Sequence, residues 1–258
     1  MYKNLVIGPG GMGAYALLGC LSRNIHLLKD IKAYSGSSAG SVLAFLLALG
    51  KKPVDIFDLL LSIDLKKATR FSLKNIFTKY GFIDHSQLKE ALLITCERDY
   101  TFEEVPNDLY ISVYNLTYSR TEYFSRYTHP KMSVLDTLCM SMSIPIIICS
   151  CTFNDCIYID GATVEDAPIT PFIGNPVQDN LTIKINYKKN ENKINSIKTF
   201  ISALTQLIIF TKNDSKFLKS FSTVLEISLD SLSVTDFNMT TDQAYDFFMK
   251  GYHITYEE

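Results

Sequence analysis

Two short apolar segments near the start of the sequence each run into a glycine-rich turn and then into a helical pattern. The first is "NLVIGPGGMG", and the second is "IKAYSGSSAG", which leads into the apolar stretch "SVLAFLLALG". Strand-like segments continue to alternate with helical ones along the rest of the chain. Such alternation favours a mostly parallel sheet that is covered by helices on both faces. The sequence therefore predicts an α/β fold.

The individual elements follow from the periodicity of the apolar residues. Helices are predicted at residues 14–24, 38–50, 53–63, 86–98, 133–143, 196–212 and 240–252. Beyond the first two strands, further strands are predicted at residues 108–116, 121–126, 156–161, 180–187 and 224–229. The asparagine- and lysine-rich segment 186–195 is predicted to be an exposed loop. A length of 258 residues fits one α/β domain as well as two small ones.

Composition argues against several classes of protein. A formal net charge of −2 argues against a general nucleic-acid binder, which needs a basic excess to contact phosphates. The six cysteines form no Cys-x-x-Cys pair, so we expect no metal site. The longest apolar stretch, residues 134–153, contains Asp136 and Pro145 and is a poor membrane span. We expect a soluble protein that is cytoplasmic or peripheral to an intracellular membrane.

The first glycine turn, residues 8–13, matches the pattern Gly-x-Gly-x-x-Gly and has three interpretations. Dinucleotide binding requires an acidic residue at the end of the second strand to hold the ribose, but that strand ends in serines and Asp30 precedes it. An oxyanion hole requires unobstructed backbone N–H groups. Pro9 has none, so the donors would be Gly10 and Gly11. In the third interpretation, the glycines serve only a tight turn.

The second glycine turn contains a candidate nucleophile. Ser38 is the central serine of a Gly-x-Ser-x-Gly pattern, with Gly36 and Gly40 on either side. A strand precedes the pattern and an apolar helix follows it, which is the setting of a nucleophile elbow. The positive N-terminal end of that helix favours the negative charge that develops during acyl transfer. The neighbouring serines are predicted to be turn or surface hydroxyls.

A serine nucleophile needs a proton acceptor, and the sequence offers two. The order Ser38–Asp160–His253 satisfies the chain order of an α/β-hydrolase triad. However, His253 lies near the C-terminal end of the sequence, and the other histidines, His26, His85 and His129, show no supporting context. Asp160 follows an apolar strand, where partial desolvation would raise its pKa and make it a better acceptor. Alternatively, Asp160 only closes an Asx-type turn.

The motifs occur in the order glycine-rich loop, Gly-x-Ser-x-Gly and Asp-Gly-Ala, and in this respect the sequence resembles the patatin-like phospholipase family. The segments "YGFIDHSQLKEAL", "SVYNLTYSRTEYFS", "MSVLDTLCMSMSIP", "YIDGATVEDAPITPF" and "VTDFNMTTDQAYDFFMKGY" resemble segments of that family in the same order. The resemblance implies a three-layer α/β/α sandwich with a mostly parallel central sheet. It implies a single domain over residues 1–258, with catalytic motifs within 4–176 and the C-terminal segment 186–258 packed on the same domain.

The resemblance also implies a mechanism without histidine. The family uses a Ser–Asp dyad, so the nucleophile falls on Ser38, the general base on Asp160 and the oxyanion amides on Gly10 and Gly11. The implied activity is hydrolysis of acyl esters in phospholipids or related lipids, with a lipid substrate and with no metal or organic cofactor. The residues that support these motifs are Gly8, Gly13, Gly36, Gly40, Gly161 and Ala162.

The first loop departs from the family pattern, which has three consecutive glycines followed by a basic residue and another glycine. Pro9 replaces a glycine, and Met12 or Gly13 takes the basic position. Two other classes therefore stay open. One is a dinucleotide-binding oxidoreductase that uses residues 8–13. The other is a catalytically silent lipid-binding relative, which retention of both Ser38 and Asp160 argues against.

A basic segment, residues 64–80, is a candidate for transient contact with a membrane surface. Its basic residues fall within about 100° of one another at helical spacing. They are Lys66, Lys67, Arg70 and Lys74, with Phe71, Ile76 and Phe77 nearby. The apolar residues form no clean opposite stripe, so a solvated basic face is the alternative interpretation.

Overall fold

The fold is known from a computed structural model that describes residues 1–64, 67, 69–187, 194–210, 215–229 and 239–256. Its strands are β1 (Asn4–Ile7), β2 (Ala33–Gly36), β3 (Gly81–Ile83), β4 (Asp108–Asn115), β5 (Arg120–Phe124), β6 (Ile146–Ile148), β7 (Cys151–Phe153), β8 (Cys156–Asp160), β9 (Asn180–Tyr187) and β10 (Thr223–Leu229). Eight of them form the central sheet, in the order β10–β9–β1–β2–β4–β8–β7, with β5 also pairing with β4. Strands β3 and β6 form a separate two-stranded sheet.

The helices in the described part of the chain connect and cover these strands. They are α1 (Ala14–Arg23), α2 (Ala39–Ala48), α3 (Pro53–Leu61), α4 (Leu73–Lys79), α5 (His85–Cys96), α6 (Val134–Ser141), α7 (Ile197–Phe210), α8 (Ser215–Lys219) and α9 (Thr241–Tyr252). Helix α9 begins with a capping box between Thr240 and Gln243 and packs along α1. The predicted fold class is confirmed, because helices flank a central, mostly parallel sheet.

The sheet has a parallel part and an antiparallel part. Strands β10, β9, β1, β2 and β4 run parallel to their neighbours, as the alternation of strands and helices predicts. Strand β5 is antiparallel to β4, and β7 to β8, because a short turn connects the strands of each pair. Strand β8 also pairs antiparallel with β4, although α6 lies between these two strands in the chain. Strand β8, which ends at Asp160, therefore runs against β4.

Side chains alternate between the two faces of the sheet, as the period of a strand requires. On β1, Leu5 and Ile7 pack into the larger core under α1 and α2, whereas Val6 packs into a smaller cluster on the other face. Phe172 and Leu218 belong to that smaller cluster. Both faces of β1 are thus buried, which explains its unbroken apolar sequence.

Two local predictions need correction. The basic segment does not form one helix, because Phe71 pairs with Ile83 in an antiparallel bridge and α4 begins only at Leu73. Lys66 lies outside the described residues. In the predicted loop 186–195, the first two residues belong to β9, where they pair with β10, and residues 188–193 lie outside the described part. The three-residue strands β3, β6 and β7 were too short to give a periodic signal.

Candidate active site

Ser38 lies in a sharp turn between β2 and α2. Its backbone has φ of 53° and ψ of −135°, which is a strained conformation for a residue with a side chain. Such a conformation costs about 1–3 kcal/mol and persists only where the surroundings enforce it. A Cβ on Gly36 would lie 2.5 Å from the Gly40 carbonyl oxygen, and one on Gly40 would lie 2.7 Å from that of Ile7. The glycines of the motif thus let strand, turn and helix pack closely.

Hydrogen bonds from distant elements hold this turn. The Ser38 backbone N–H donates to Ser141 Oγ at 2.9 Å, and Ser141 Oγ donates to the Ser112 carbonyl oxygen at 2.8 Å. The Ser41 hydroxyl donates to the Ser38 carbonyl oxygen at 2.6 Å. The other serines of the turn are buried, so of the two predicted roles, turn hydroxyl and surface hydroxyl, the surface role is excluded, and Ser41 has the turn role. No motif identifies Ser141, whose role depends on how α6 packs.

The strand register brings Asp160 level with Ser38. Gly36 on β2 lies opposite Ile111 on β4, and Val113, two residues further along β4, lies opposite Asp160 on β8. Ser38 follows Gly36 by two residues, and β5 occupies the other side of β4. Ser38 and Asp160 therefore both lie beside Val113, on the same side of β4. Asp160 ends an antiparallel strand that enters the sheet from the carboxyl edge of β4.

Asp160 is completely buried. Its Oδ1 accepts a hydrogen bond from the Ala162 backbone N–H at 2.9 Å, and its own N–H donates to the Ser143 carbonyl oxygen at 3.0 Å. Its Oδ2 is buried and accepts no hydrogen bond from the described residues. Burial raises the pKa of Asp160 to about 7, and interactions with the Ser38 side chain and the Ala162 N–H oppose that rise. A carboxyl with this pKa can both accept and return a proton near neutral pH.

The glycine loop lies next to the Ser38 turn, and Gly11 lines the same cavity as Ser38. Gly11 has φ of 48°, a left-handed conformation that glycine adopts without strain. The Gly10 carbonyl oxygen accepts hydrogen bonds from Gly13 N–H at 2.8 Å and from Tyr187 Oη at 2.6 Å. Within the described part of the chain, the Gly10 and Gly11 N–H groups donate to no acceptor. In a trans peptide the C=O and N–H point in opposite directions, so these bonds direct the Gly11 N–H away from Tyr187.

Tyr187 has no counterpart in the sequence predictions. It lies at the end of β9, 177 positions from the glycine whose carbonyl it binds. A Cβ on Gly13 would lie 2.6 Å from Tyr187 Oη, so glycine at position 13 makes room for this hydroxyl. The predicted supporting role of Gly13 thus has a physical basis: it admits the side chain that holds Gly10.

The remaining supporting residues lie where these strands meet. Gly8 donates its N–H to the Ile183 carbonyl oxygen at 2.9 Å, which ties the loop to β9. A Cβ on Gly161 would lie 2.5 Å from the Ser112 carbonyl oxygen, so the turn after Asp160 packs directly on β4. Ala162 supplies the N–H that holds the Asp160 carboxyl.

A cavity of about 130 Å³ lies against Ser38. Gly11 and Met12 line it, whereas Gly10 and Asp160 do not. The rest of its lining is mostly aliphatic and includes Val42, Leu60, Leu88, Ile144 and Ile148. Met12, one of the two residues that could take the basic position of the family pattern, thus contributes an apolar wall. The cavity suits an alkyl chain next to the Ser38 hydroxyl.

Comparison with known proteins agrees with this arrangement. Residues 5–173 match the family model for patatin-like phospholipase. The chain belongs to the patatin-like phospholipase family. "Probable lipid hydrolase 463L" of Invertebrate iridescent virus 6 is 30% identical over 223 residues, which cover 80% of this chain and 73% of that protein. "Uncharacterized protein R571" of Acanthamoeba polyphaga mimivirus is 30% identical over an alignment of 268 positions, which covers 93% of this chain and 88% of that protein.

Two solved structures share the fold of this patatin-like chain. VipD from Legionella pneumophila superimposes with a TM-score of 0.65 at 16% identity, covering 97% of this chain and 65% of that one. The type III effector protein ExoU superimposes with a TM-score of 0.51 at 14% identity, covering 98% of this chain and 52% of that one. The patatin-like chain therefore spans less than two thirds of the length of either structure.

The histidines of the patatin-like chain do not reach the Ser38–Asp160 pair. His253 is exposed at the C-terminal end of α9, so the structure does not assemble the alternative triad. His85 binds the Ser143 hydroxyl at 3.0 Å, and burial lowers its pKa to about 4. His129 stacks on Phe124 with a centroid distance of 4.0 Å. His26 lies in a turn before β2, at the opposite edge of the sheet from Ser38.

Other sites expected or excluded from the sequence can now be located. Asp30 precedes β2 and so lies at the opposite edge of the sheet from loop 8–13, too far to hold a ribose bound at that loop. Among the described residues, no three His, Cys, Asp or Glu side chains are grouped as metal ligands. No described helix is long and apolar enough to cross a membrane.

Proposed function

We propose that this patatin-like chain is a lipid acyl hydrolase of the phospholipase A or esterase type, with Ser38 as nucleophile and Asp160 as general base. The observation that carries the proposal is the strand register that brings a fully buried carboxyl, with a pKa raised to about 7, level with a serine held in a strained turn. Membership of the family and the name of the iridescent virus relative support the same reaction class.

In the first half of the reaction, Asp160 accepts the proton of the Ser38 hydroxyl as the Ser38 oxygen attacks the ester carbonyl carbon. The carbonyl oxygen becomes an oxyanion, which the Gly10 and Gly11 N–H groups stabilise. A donor positioned in this way is worth about 3 kcal/mol in the transition state. Collapse of the tetrahedral intermediate breaks the ester C–O bond, and Asp160 returns its proton to the departing alcohol oxygen.

In the second half, water replaces the alcohol. As the water oxygen attacks the acyl-enzyme carbonyl carbon, Asp160 accepts a proton from the water. The Gly10 and Gly11 N–H groups hold the new oxyanion. The Ser38 oxygen then leaves and recovers its proton from Asp160, which releases the fatty acid. Each step uses only groups of this chain and water.

The cavity supports a lipid as the substrate. Its aliphatic walls start at Ser38, so an acyl chain that lies against them places its ester carbonyl at the hydroxyl. Burial of the chain stabilises the complex by about 0.8 kcal/mol for each CH₂ group removed from water. We therefore expect esters of longer fatty acids to have a lower KM than acetyl esters.

The proposal is tested by fatty-acid release from phospholipid vesicles and by labelling with a fluorophosphonate, which reacts with activated serines. We expect Ser38→Ala to lose at least about 10³-fold in kcat and all labelling. Ser37→Ala is the matched control, because the buried Ser37 hydroxyl in the same turn has no hydrogen-bond partner among the described residues. Labelling of Ser38→Ala, or the same loss in both variants, would contradict the proposal. Labelling without hydrolysis of any lipid would contradict the substrate class.

A further inference from the structure

Four large apolar side chains are exposed around α4. Their exposed fractions are 63% for Phe71, 67% for Leu73, 85% for Phe77 and 61% for Tyr80. Leu73 and Phe77 are four residues apart and lie on one face of α4. A cluster of exposed apolar side chains of this size marks an interaction site more often than a chance feature of a surface. These four residues are called the α4 surface.

The chain around the α4 surface is strongly basic. The sequence between Asp64 and Asp84 contains five lysines and arginines and no acidic residue. Lys67, Arg70 and Lys74 are exposed. Lys79 forms an ion pair with Asp84, at the edge of the segment. A partner that covers the apolar side chains must therefore tolerate, or complement, a ring of positive charge.

The α4 surface adjoins the cavity at Ser38. Phe71 pairs with Ile83 through a backbone bridge, and the Ser72 N–H donates to the Phe82 carbonyl oxygen at 2.9 Å. The rings of Phe71 and Phe82 stack with a centroid distance of 4.3 Å. Ile83 and Thr69 themselves line the cavity. Phe71 thus lies opposite Ile83 and two residues from Thr69, which places one side of the α4 surface beside the cavity wall.

We propose that the α4 surface docks on an anionic phospholipid bilayer and holds the mouth of the cavity against it. This inference rests on the proposed function, because a lipid hydrolase must receive its substrate from a lipid phase. The apolar side chains enter the acyl boundary, while the surrounding lysines and arginine contact anionic headgroups. A second copy of the chain fits less well, because a two-fold contact through this surface would oppose two sets of basic residues.

The experiment separates docking from catalysis by measuring vesicle binding in the Ser38→Ala background. We expect the protein to sediment with vesicles of phosphatidylcholine and phosphatidylglycerol, and to bind pure phosphatidylcholine more weakly. The variant Lys74→Glu/Phe77→Ala should bind the anionic vesicles at least about tenfold more weakly. The matched control is Ile25→Ala/Lys29→Glu, which also replaces one exposed apolar side chain with alanine and one exposed lysine with glutamate. These residues precede β2, at the opposite edge of the sheet, so the control should bind like the parent.

A second assay, with Ser38 intact, uses a short-chain ester in free solution. If the α4 surface only docks, Lys74→Glu/Phe77→Ala should hydrolyse this ester at the parental rate while losing activity on anionic vesicles. Vesicle binding without any ester hydrolysis would contradict the proposed function but support the docking surface. Equal vesicle binding by parent and variant, or a parental dimer that the variant loses, would overturn the docking inference. The milder variants Lys74→Gln and Phe77→Gln give the same comparison if the double variant does not fold.

Discussion

The two glycine turns that frame the candidate site are built against different kinds of neighbour. In the Ser38 turn, added Cβ atoms on Gly36 and Gly40 would meet backbone atoms of adjacent elements. In the first loop, a Cβ on Gly13 would meet the side chains of Ile185 and Tyr187. Backbone in a sheet cannot move aside, whereas side chains can repack. The nucleophile turn is therefore enclosed by main chain at both of its glycines, whereas side chains from β9 enclose the first loop at Gly13.

This difference explains why one turn has a recognisable motif and the other departs from its family pattern. A turn pressed against backbone accepts only glycine at the contact positions, so its pattern survives in full. A loop held by side chains can change together with them. Here Met12 faces an apolar cavity and Gly13 leaves room for the Tyr187 hydroxyl, and both are consistent with a loop adapted to its own neighbours.

The largest expected effect is that of a Cβ in the nucleophile turn. Gly40→Ala places a methyl group 2.7 Å from the Ile7 carbonyl oxygen and still closer to that of Gly8. We expect a loss of about 3–4 kcal/mol in the free energy of unfolding, measured by urea denaturation. Gly8→Ala is the control from the first loop. There the nearest atom would be Lys184 Cβ at 3.1 Å, and we expect a loss below about 1 kcal/mol. Equal losses would remove the distinction between the two turns.

The next largest effect on the free energy of unfolding comes from the buried carboxyl group of Asp160, beside the nucleophile turn. Burial raises the pKa of Asp160 from 3.8, the ordinary value of an aspartate, to about 7 in the folded chain, so the folded state binds the proton more tightly than the unfolded state. The stability contributed by this group is fully present below about pH 4 and is lost as the pH rises through 7. Asp160→Asn carries no charge, so we expect it to be about 2–3 kcal/mol more stable than wild type at pH 8. Below about pH 4 the two proteins should differ little, and a difference that stays constant from pH 4 to pH 8 would contradict the burial argument.

The smallest effect tests the side chain that holds the first loop. Tyr187→Phe removes the hydroxyl that binds the Gly10 carbonyl oxygen and keeps the ring. Loss of an oxyanion donor lowers kcat by about 10²–10³-fold, and Tyr187 orients a donor without being one, so we expect about a tenfold loss in kcat. KM should stay unchanged, because the hydroxyl is not part of the cavity wall. Tyr34→Phe, at a buried tyrosine of β2, is the control and should leave kcat unchanged. If Tyr187→Phe instead raised KM by about the same factor as it lowered kcat, the Tyr187 hydroxyl would have a structural role only.

The sequence predicted what depends on short segments. The strand–turn–helix setting of Ser38, the apolar strand before Asp160 and the helix over residues 240–252 are all local, and the structure contains each of them. Three features could not be predicted because they depend on tertiary contacts. They are the antiparallel direction of β8, the hydrogen bond from Ser141 to the Ser112 carbonyl and the contact of Tyr187 with Gly10.

In the basic segment, residues 64–80, the sequence predicted a local structure that a tertiary contact overrides. Its spacing fits a helix, but the pairing of Phe71 with Ile83 overrides that preference and moves the start of α4 to Leu73. Local propensity is weak in comparison with a bridge to a buried strand. The exposed face of α4 is a consequence of this pairing.

The pH dependence of kcat/KM on a soluble ester tests most directly whether Asp160 is the general base for Ser38. The base must be ionised to act, so activity should fall about tenfold per pH unit below an apparent pKa near 7 and stay level above it. Asp160→Asn should lose about 10³-fold, and His253→Ala should keep both the rate and the profile of wild type. A wild-type profile in Asp160→Asn, together with loss of activity in His253→Ala, would contradict the account.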